Sequence, residues 1–414
     1  MVSNQIEISS INSERTIWVL MTAIVFISMG QSVYWQTMPI LGREFGFSEI
    51  QITSIISSSS FIFLVLTPWW GKLSDQIGRK KVLLIGLIGY VLTTLLFSFI
   101  VYQGLMKEIS FLILFSLILF VRILNSSLVA GQRPAMGAYV ADITSEEDRS
   151  AGMGKFGAAN NLGTILGPVL VGTFVGFNLF SDEVPSLSLL TPILFMTVLT
   201  ICILLVVFLF LPESKIVKLN VDSKQNFSDV LDSNFKLLLL IGTLVFIAFA
   251  IIQSVTAFYL QDKFNLDYYQ TASATAISLG SMAISSIIVQ LTFIQRFSGP
   301  SIKLLEFSLS FFALGSLIII FANNFIIIVC GMTFVGVGMG LASPGYTATA
   351  SLNTNTSNQG AAVGLAMVAP GLGFTIGPIS GGFLYETNHI FPFVIILPIL
   401  LVIYLLLSRL KLEK

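Results

Sequence analysis

The sequence contains few of the residues that a soluble domain or an enzyme needs. Only 10% of its 414 residues are charged, and it has a single histidine. A soluble domain carries about 25% charged residues, so this composition indicates a membrane protein. His389 stands alone in a loop, with no cluster of metal ligands and no nucleophile–base pair elsewhere in the chain. We therefore expect no enzyme, no catalytic residue and no metal site.

Cysteine and nucleotide-binding motifs are equally scarce. The two cysteines, Cys202 and Cys330, both fall inside apolar runs, where cysteine behaves as a small core residue. The sequence has no G-x-x-x-x-G-K-[ST] loop, the glycine-rich turn that cradles nucleotide phosphates. We expect neither a disulfide nor a bound cofactor.

Long apolar runs dominate what is present. A bilayer core of about 30 Å needs ~20 apolar residues per helix, and continuous runs favour helices over a barrel. The first run is too long for a cleaved signal peptide and has no small-residue cleavage site. We predict twelve transmembrane helices, at residues 16–41, 50–70, 82–103, 110–133, 151–176, 189–211, 236–261, 269–294, 302–322, 325–349, 358–384 and 390–408.

The basic residues are distributed unevenly between the loops. Arg43, Lys107 and Lys263 lie on one side, whereas most of the 21 basic residues lie on the other or in the tails on that side. Basic loops stay in the cytoplasm, so both termini are predicted to be cytoplasmic. We expect a multi-pass protein of the plasma membrane, with a bacterial cytoplasmic membrane as the favoured location.

Two motifs stand out between and within the spans. The first, Gly71 to Lys81, is predicted to be a basic turn, with Gly71 and Gly78 at its bends and Asp75 among four cations. The second, in the fifth span, has glycines four residues apart that let helix backbones touch. It comprises Gly163, Gly167, Pro168 and Gly172.

The second motif also reveals an internal repeat. An offset of 210 residues reproduces it as Gly373, Gly377, Pro378 and Gly382. Near the start of each half, Leu41, Phe45 and Gln51 match Leu260, Phe264 and Gln270 at an offset of 219. Such repeats are typical of two-lobed transporters with a substrate site at the bilayer midplane.

The G-x-L-x-D-x-x-G-R-K spacing of the basic turn resembles the signature loop of the major facilitator superfamily. The segment from Ala138 to Arg149 and the Gly-Pro motif resemble those of its twelve-helix drug:proton antiporter branch. The resemblance implies an all-α fold of two pseudo-symmetric six-helix lobes, residues 16–211 and 236–409. A cytoplasmic linker (212–235) and cytoplasmic tails (1–15 and 410–414) complete the chain. It also implies a gating role for Gly71, Asp75, Gly78, Arg79, Asp142 and Arg149, and a packing or hinge role for the Gly-Pro motifs.

Two arginines in the fourth span are the strongest candidates for substrate contacts. Arg122 and Arg133 lie eleven residues apart, close to three whole turns, and therefore share a helix face about 16 Å long. Arginines inside a membrane face cavities or pair with acids, and no acid lies at the centre of any predicted span. Arg122 could instead bond backbone carbonyls of the first span, and Arg133 could extend to the cytoplasmic surface. The other candidates are Gln31, Tyr34, Trp35, Asn125 and Gln253.

Together these features predict a monomeric, proton-driven exporter of a small organic molecule, whose partners are the bilayer and the substrate and not nucleic acid. Unpaired arginines favour an anionic metabolite, and a carboxylate siderophore is one example. The alternatives are a multidrug or antibiotic efflux pump, an importer, and a non-transporting sensor on the same fold.

Overall fold

The structure, a computed structural model, describes residues 10–144, 149–176, 185–213, 231–352 and 359–410. Within these ranges the regular structure is helical, apart from turns and two short 3-10 segments. The α-helices are α1 (Ser10–Glu44), α2 (Glu49–Ile77), α3 (Arg79–Leu105), α4 (Phe111–Val129), α5 (Gln132–Ile143), α6 (Arg149–Gly176), α7 (Thr191–Phe210), α8 (Ser233–Phe264), α9 (Tyr268–Thr292), α10 (Ser301–Phe321), α11 (Phe325–Leu352), α12 (Gln359–Ala366), α13 (Val368–Thr387), α14 (Phe391–Val394) and α15 (Ile396–Leu407).

Most of these helices have the length and composition of membrane spans. Among the described residues, eleven helical segments are long and apolar enough to cross a bilayer. A shorter apolar segment, Phe391–Leu407, lies where the twelfth span is predicted. The apolar side chains that remain exposed, such as Leu112, Phe321 and Ile326, agree with a lipid-facing surface.

Three of the spans are divided into two helices shortly before a proline. A proline has no N–H to offer the carbonyl four residues earlier. The α4–α5, α12–α13 and α14–α15 breaks each lie three to five residues before such a proline, namely Pro134, Pro370 and Pro398. At the second break, the Tyr346 hydroxyl donates to the carbonyl of Ala366 at 2.9 Å and satisfies the oxygen that Pro370 cannot reach.

The predicted basic turn is shorter than expected. Helix α2 continues through Gly71 to Ile77, and the chain turns only at Gly78, whose φ of +107° favours glycine. The prediction that Gly71 bends the backbone is therefore wrong. The six residues Lys72–Ile77 extend α2 beyond its apolar part, where polar side chains are tolerated outside the bilayer.

The described chain divides into two compact units. Unit 1 comprises Met1–Thr37 and Ile62–Lys218, and unit 2 comprises Met38–Phe61 and Leu219–Lys414. The division groups residues 38–61, the end of α1 and the start of α2, with the later helices. The predicted lobe boundaries remain a prediction, and most of the predicted linker (214–230) lies outside the described residues.

The Gly-Pro motifs pack in the same way in both units. In unit 1, a Cβ on Gly163 would overlap the carbonyl oxygen of Val25, and one on Gly167 would lie 2.5 Å from the Ser32 Cβ. In unit 2, a Cβ on Gly373 would overlap the Phe246 Cβ, and one on Gly377 would lie 2.7 Å from the Ala250 Cβ. Helix α6 therefore packs closely on α1, as α13 does on α8. Gly382 approaches Thr53 in the same manner, and Gly172 is half-buried.

Candidate substrate site

Arg122 occupies an unusual position in unit 1. It is 5% exposed, and among the described residues it is the one charged side chain that is buried. Its guanidinium carbon lies 4.2 Å from the ring centroid of Tyr34 on α1, a cation–π contact. Its Nη1 donates to the Asn125 Oδ1 at 3.3 Å, one turn further along α4. Arg122 forms no ion pair with any described carboxylate, so its positive charge is not neutralised by a described acid.

Helix α3 completes a polar cluster around this arginine. The Asn125 Nδ2 donates to the Thr93 Oγ1 at 2.7 Å, which orients the amide oxygen toward Arg122. The Tyr34 hydroxyl donates to the Thr94 Oγ1 at 2.9 Å, which fixes the ring beneath the guanidinium. Tyr90 packs edge-on against Tyr34. We call Tyr34, Tyr90, Thr93, Thr94, Arg122 and Asn125 the Arg122 cluster.

Several buried polar atoms of unit 1 have no hydrogen-bond partner among the described residues. They include the Tyr90 hydroxyl within the cluster and the Nε2 of Gln31, one helical turn before Tyr34 on α1. The Gln36 Oε1 is a third. An unpaired buried donor costs about 1–3 kcal/mol, which a polar ligand or water can recover. The Tyr90 hydroxyl therefore offers a further hydrogen-bonding group to a polar ligand at the Arg122 cluster.

The remaining predicted residues lie apart from these contacts. Arg133, on α5, is half-buried and forms no hydrogen bond or ion pair with a described residue. Trp35 is half-buried on α1, next to Tyr34. Gln253 is half-buried on α8 in unit 2. The structure thus joins Tyr34, Arg122 and Asn125 directly.

Sequence reasoning missed Tyr90, Thr93 and Thr94. Their signal was a tyrosine followed three and four residues later by hydroxyls in an otherwise apolar span. That spacing places all three on one helix face.

A second charged cluster lies where α2, α3 and α5 end or begin, also in unit 1. Arg79 pairs with Asp75, and its Nε lies 3.3 Å from the Asp142 Oδ2. Its Nη1 donates to the Ser74 Oγ at 2.6 Å. The cluster predicted from the basic turn is thus formed in this unit, whereas the side chain of Arg149 lies outside the described residues. Its gating role remains a prediction.

We expect Asp75→Asn to reduce transport while leaving the amount of membrane-inserted protein unchanged. The substitution removes the charge that Arg79 pairs with and leaves the shape intact. Asp75 is 61% exposed, so the pair contributes only about 0–1 kcal/mol to folding, and any large effect must act on conformational exchange. Lys81→Gln is the matched control, since Lys81 is exposed in the same segment and has no ion pair with a described residue. If Asp75→Asn and Lys81→Gln transport at the same rate at equal protein level, the segment only determines the membrane orientation of the chain and has no gating role.

Comparison with known proteins establishes the class of this helical membrane protein. The profile of the Major Facilitator Superfamily matches residues 20–309 and 292–414, so the chain belongs to that superfamily. It is therefore a membrane transporter with the two-lobed, all-α fold of that superfamily, and not an enzyme. The prediction from the signature loop and the Gly-Pro motifs is confirmed.

Several relatives are similar to the chain along most of its length. It is 25% identical to Multidrug resistance protein 2 of Bacillus subtilis over 93% of this chain and 92% of the relative. It is 24% identical to the quinolone resistance protein NorA of Staphylococcus aureus, over 90% and 91% of the two chains. These names agree with the predicted drug-exporter branch.

Solved structures agree on the fold. The nucleoside transporter NupG superposes with a TM-score of 0.76 at 13% identity, covering 95% of this chain and 99% of that one. The human organic anion transporter MFSD10 superposes with a TM-score of 0.66 at 18% identity, covering 96% and 100%.

Proposed function

We propose that this transporter exports small organic molecules that carry a negative charge, and that a proton gradient drives it. The observation that carries the proposal is the burial of Arg122 without a described acid to neutralise it. Taking a charge out of water costs several kcal/mol unless a partner compensates it. An anionic substrate supplies that partner during each cycle.

The chemistry of the Arg122 cluster suits an anion. A guanidinium presents several donors in a planar fork that matches the two oxygens of a carboxylate, and such charge-assisted bonds are about twice as strong as neutral ones. In the structure, Arg122 uses one 3.3 Å bond to Asn125, which leaves other donors for a ligand. Tyr34 lies against the guanidinium face and holds the fork in one orientation.

Arg133 adds a second cation to the proposal. It lies on α5, half-buried and without a described partner. Two cations along one continuing span suit a polycarboxylate, the class to which the predicted carboxylate siderophores belong.

Proton drive is proposed because the sequence carries no phosphate-binding loop for a nucleotide. We place the chain in the cytoplasmic membrane with both termini in the cytoplasm, on the strength of the basic-loop bias.

Efflux of drugs is the second candidate, and it is favoured by the relatives named for multidrug and quinolone resistance. The two candidates differ in substrate charge. A carboxylate attracts a lipophilic cation, whereas the one buried charge among the described residues is positive and would repel it.

A comparison of metabolites separates the two candidates. Cells that lack the gene are compared with the same cells expressing the wild-type chain, and organic anions and a lipophilic cationic dye are measured inside and outside. We expect an organic anion to accumulate inside the deletion strain and outside the expressing strain. A change confined to the cationic dye would contradict the proposal and favour drug efflux.

A further inference from the structure

A network of charged side chains, distinct from the Arg122 cluster, lies in unit 2. At the end of α1, the Arg43 guanidinium donates two hydrogen bonds to the Asp262 carboxylate of α8, from Nη1 to Oδ1 at 2.5 Å and from Nη2 to Oδ2 at 2.8 Å. Its Nη2 also donates to the Glu49 Oε1, at the start of α2, at 2.5 Å. The exposed fractions of the three side chains are 16%, 28% and 21%. One guanidinium thus joins three helices through bidentate, charge-assisted bonds.

Aromatic side chains shield this network from water. The Arg43 guanidinium lies 4.8 Å from the Phe258 ring centroid and 5.9 Å from that of Tyr385. The Tyr385 hydroxyl donates to the Asp262 Oδ2 at 2.7 Å. Partial burial and fixed geometry distinguish these bonds from a solvated surface ion pair, which contributes little.

A backbone contact ties the same segment to α13. The Glu386 Oε1 accepts a hydrogen bond from the Ile50 N–H at 2.8 Å. Further along the segment, the Ser57 Oγ accepts a hydrogen bond from the Ile379 N–H at 3.0 Å. Residues 38–61 are thus held on α8 by ion pairs near Arg43 and on α13 by hydrogen bonds. These contacts account for their grouping with the later helices.

The internal repeat gives Arg43 and Asp262 a particular relationship. The 219-residue offset that relates Leu41 to Leu260 also relates Arg43 to Asp262. The two halves therefore carry opposite charges at equivalent positions, and these two charges contact each other. Exchange of the two charges keeps this pair, but it also places a carboxylate beside Glu49, which must then be neutralised.

A proline precedes this network on α1. Pro39 lies four residues before Arg43 and removes one backbone hydrogen bond, which weakens the helix there. The boundary between the units, at Thr37 and Met38, falls within two residues of this proline. The end of α1 therefore follows a weakened point of the helix.

We propose that Arg43, Asp262, Glu49 and Tyr385 form a latch that holds residues 38–61 on α8 and α13 in one state of the transport cycle. The latch must open for the cycle to continue. It lies on the side predicted to face outward, and its closure would keep that side shut. The proposal rests on the transporter class and is independent of the charge of the substrate.

Labelling of one buried position tests the latch. In a chain with Cys202→Ser and Cys330→Ser, Thr53→Cys places a thiol in the latched segment, where Thr53 is 0% exposed and faces Gly382 of α13. The rate of its reaction with a membrane-impermeant maleimide is measured in intact cells. We expect Arg43→Gln and Asp262→Asn to raise that rate about tenfold or more, the factor that corresponds to ~1.4 kcal/mol. Lys263→Gln is the control, because Lys263 neighbours Asp262 but donates to Tyr259 at 2.7 Å instead.

The charge exchange Arg43→Asp with Asp262→Arg distinguishes a latch from general damage. Both exchanged and single variants carry Glu49→Gln, which removes the carboxylate that Arg43→Asp would otherwise meet. In that background we expect the double variant to return the labelling rate to near that of Glu49→Gln alone and to regain transport that both single variants lose. Arg43→Lys keeps the positive charge but not the planar guanidinium. Its labelling rate should lie between that of the wild type and that of Arg43→Gln. Labelling at the wild-type rate in Arg43→Gln, or a well-inserted double variant that labels as fast as the single ones, would overturn the proposal. The readout needs no substrate, so it is separate from any failure of the anion proposal.

Discussion

Arg122→Gln is expected to lower the rate of anion transport by about tenfold or more at subsaturating substrate. A hydrogen bond to a charged group contributes about 1.5–3 kcal/mol, and each 1.4 kcal/mol is a factor of ten. Glutamine keeps a polar side chain but loses the charge and the fork. Arg122→Lys keeps the charge alone, so we expect it to retain part of the activity.

The controls for Arg122 separate substrate binding from protein folding. Arg296→Gln removes an exposed arginine and should transport as wild type does. Arg133→Gln tests the second cation. It should lower the transport rate of polycarboxylates more than that of monocarboxylates. All variants are compared at equal amounts of monodisperse protein, with initial rates measured over a range of substrate concentrations. If Arg122→Gln transports the anion at the wild-type rate, Arg122 does not contact the substrate.

The second large effect is expected from Gly163→Ala. The added Cβ would overlap the Val25 carbonyl oxygen and lie 2.8 Å from the Ser28 Cβ, so α1 and α6 must separate. Overpacking of this kind costs about 1–3 kcal/mol. We expect a lower midpoint of thermal unfolding in detergent, and reduced transport because the same helix α1 carries Tyr34.

The same helix provides the matched control. A Cβ on Gly157 would meet no atom within 4 Å, so Gly157→Ala should be neutral or slightly stabilising, since alanine favours helix by up to about 1 kcal/mol. The repeat predicts a parallel loss for Gly373→Ala, whose Cβ would overlap that of Phe246. An unfolding midpoint equal to wild type in Gly163→Ala would mean that α1 and α6 are not closely packed there.

The parts of the fold that could be predicted from sequence are those with local signals. Apolar length identifies the spans, and glycine spacing identified close packing at Gly163 and Gly373 without knowledge of the partner helix. Helix ends outside the apolar part could not be predicted, because hydropathy does not distinguish a polar helical turn from a loop. The extension of α2 beyond Gly71 to Ile77 is such a case, as is the continuation of the fourth span through α5 to Ile143.

The functional sites depend on contacts between distant residues, which local signals do not contain. Arg122 and Tyr34 were both candidates, but their stacking follows from how α1 and α4 pack. The pair of Arg43 with Asp262 joins residues 219 apart. The repeat offset matches an arginine to an aspartate, but equivalent positions in two halves need not touch, so their contact could not be predicted from it.

Transport by the purified protein is the most direct measurement of the central claim, that a proton gradient drives export of organic anions through the Arg122 cluster. The protein is reconstituted in liposomes, a pH gradient is imposed, and accumulation of a radiolabelled polycarboxylate is followed with and without a protonophore. We predict accumulation against the concentration gradient that stops when the protonophore is added and is lost in Arg122→Gln. Equal accumulation with and without the pH gradient, or accumulation of a lipophilic cation in place of the anion, would contradict it.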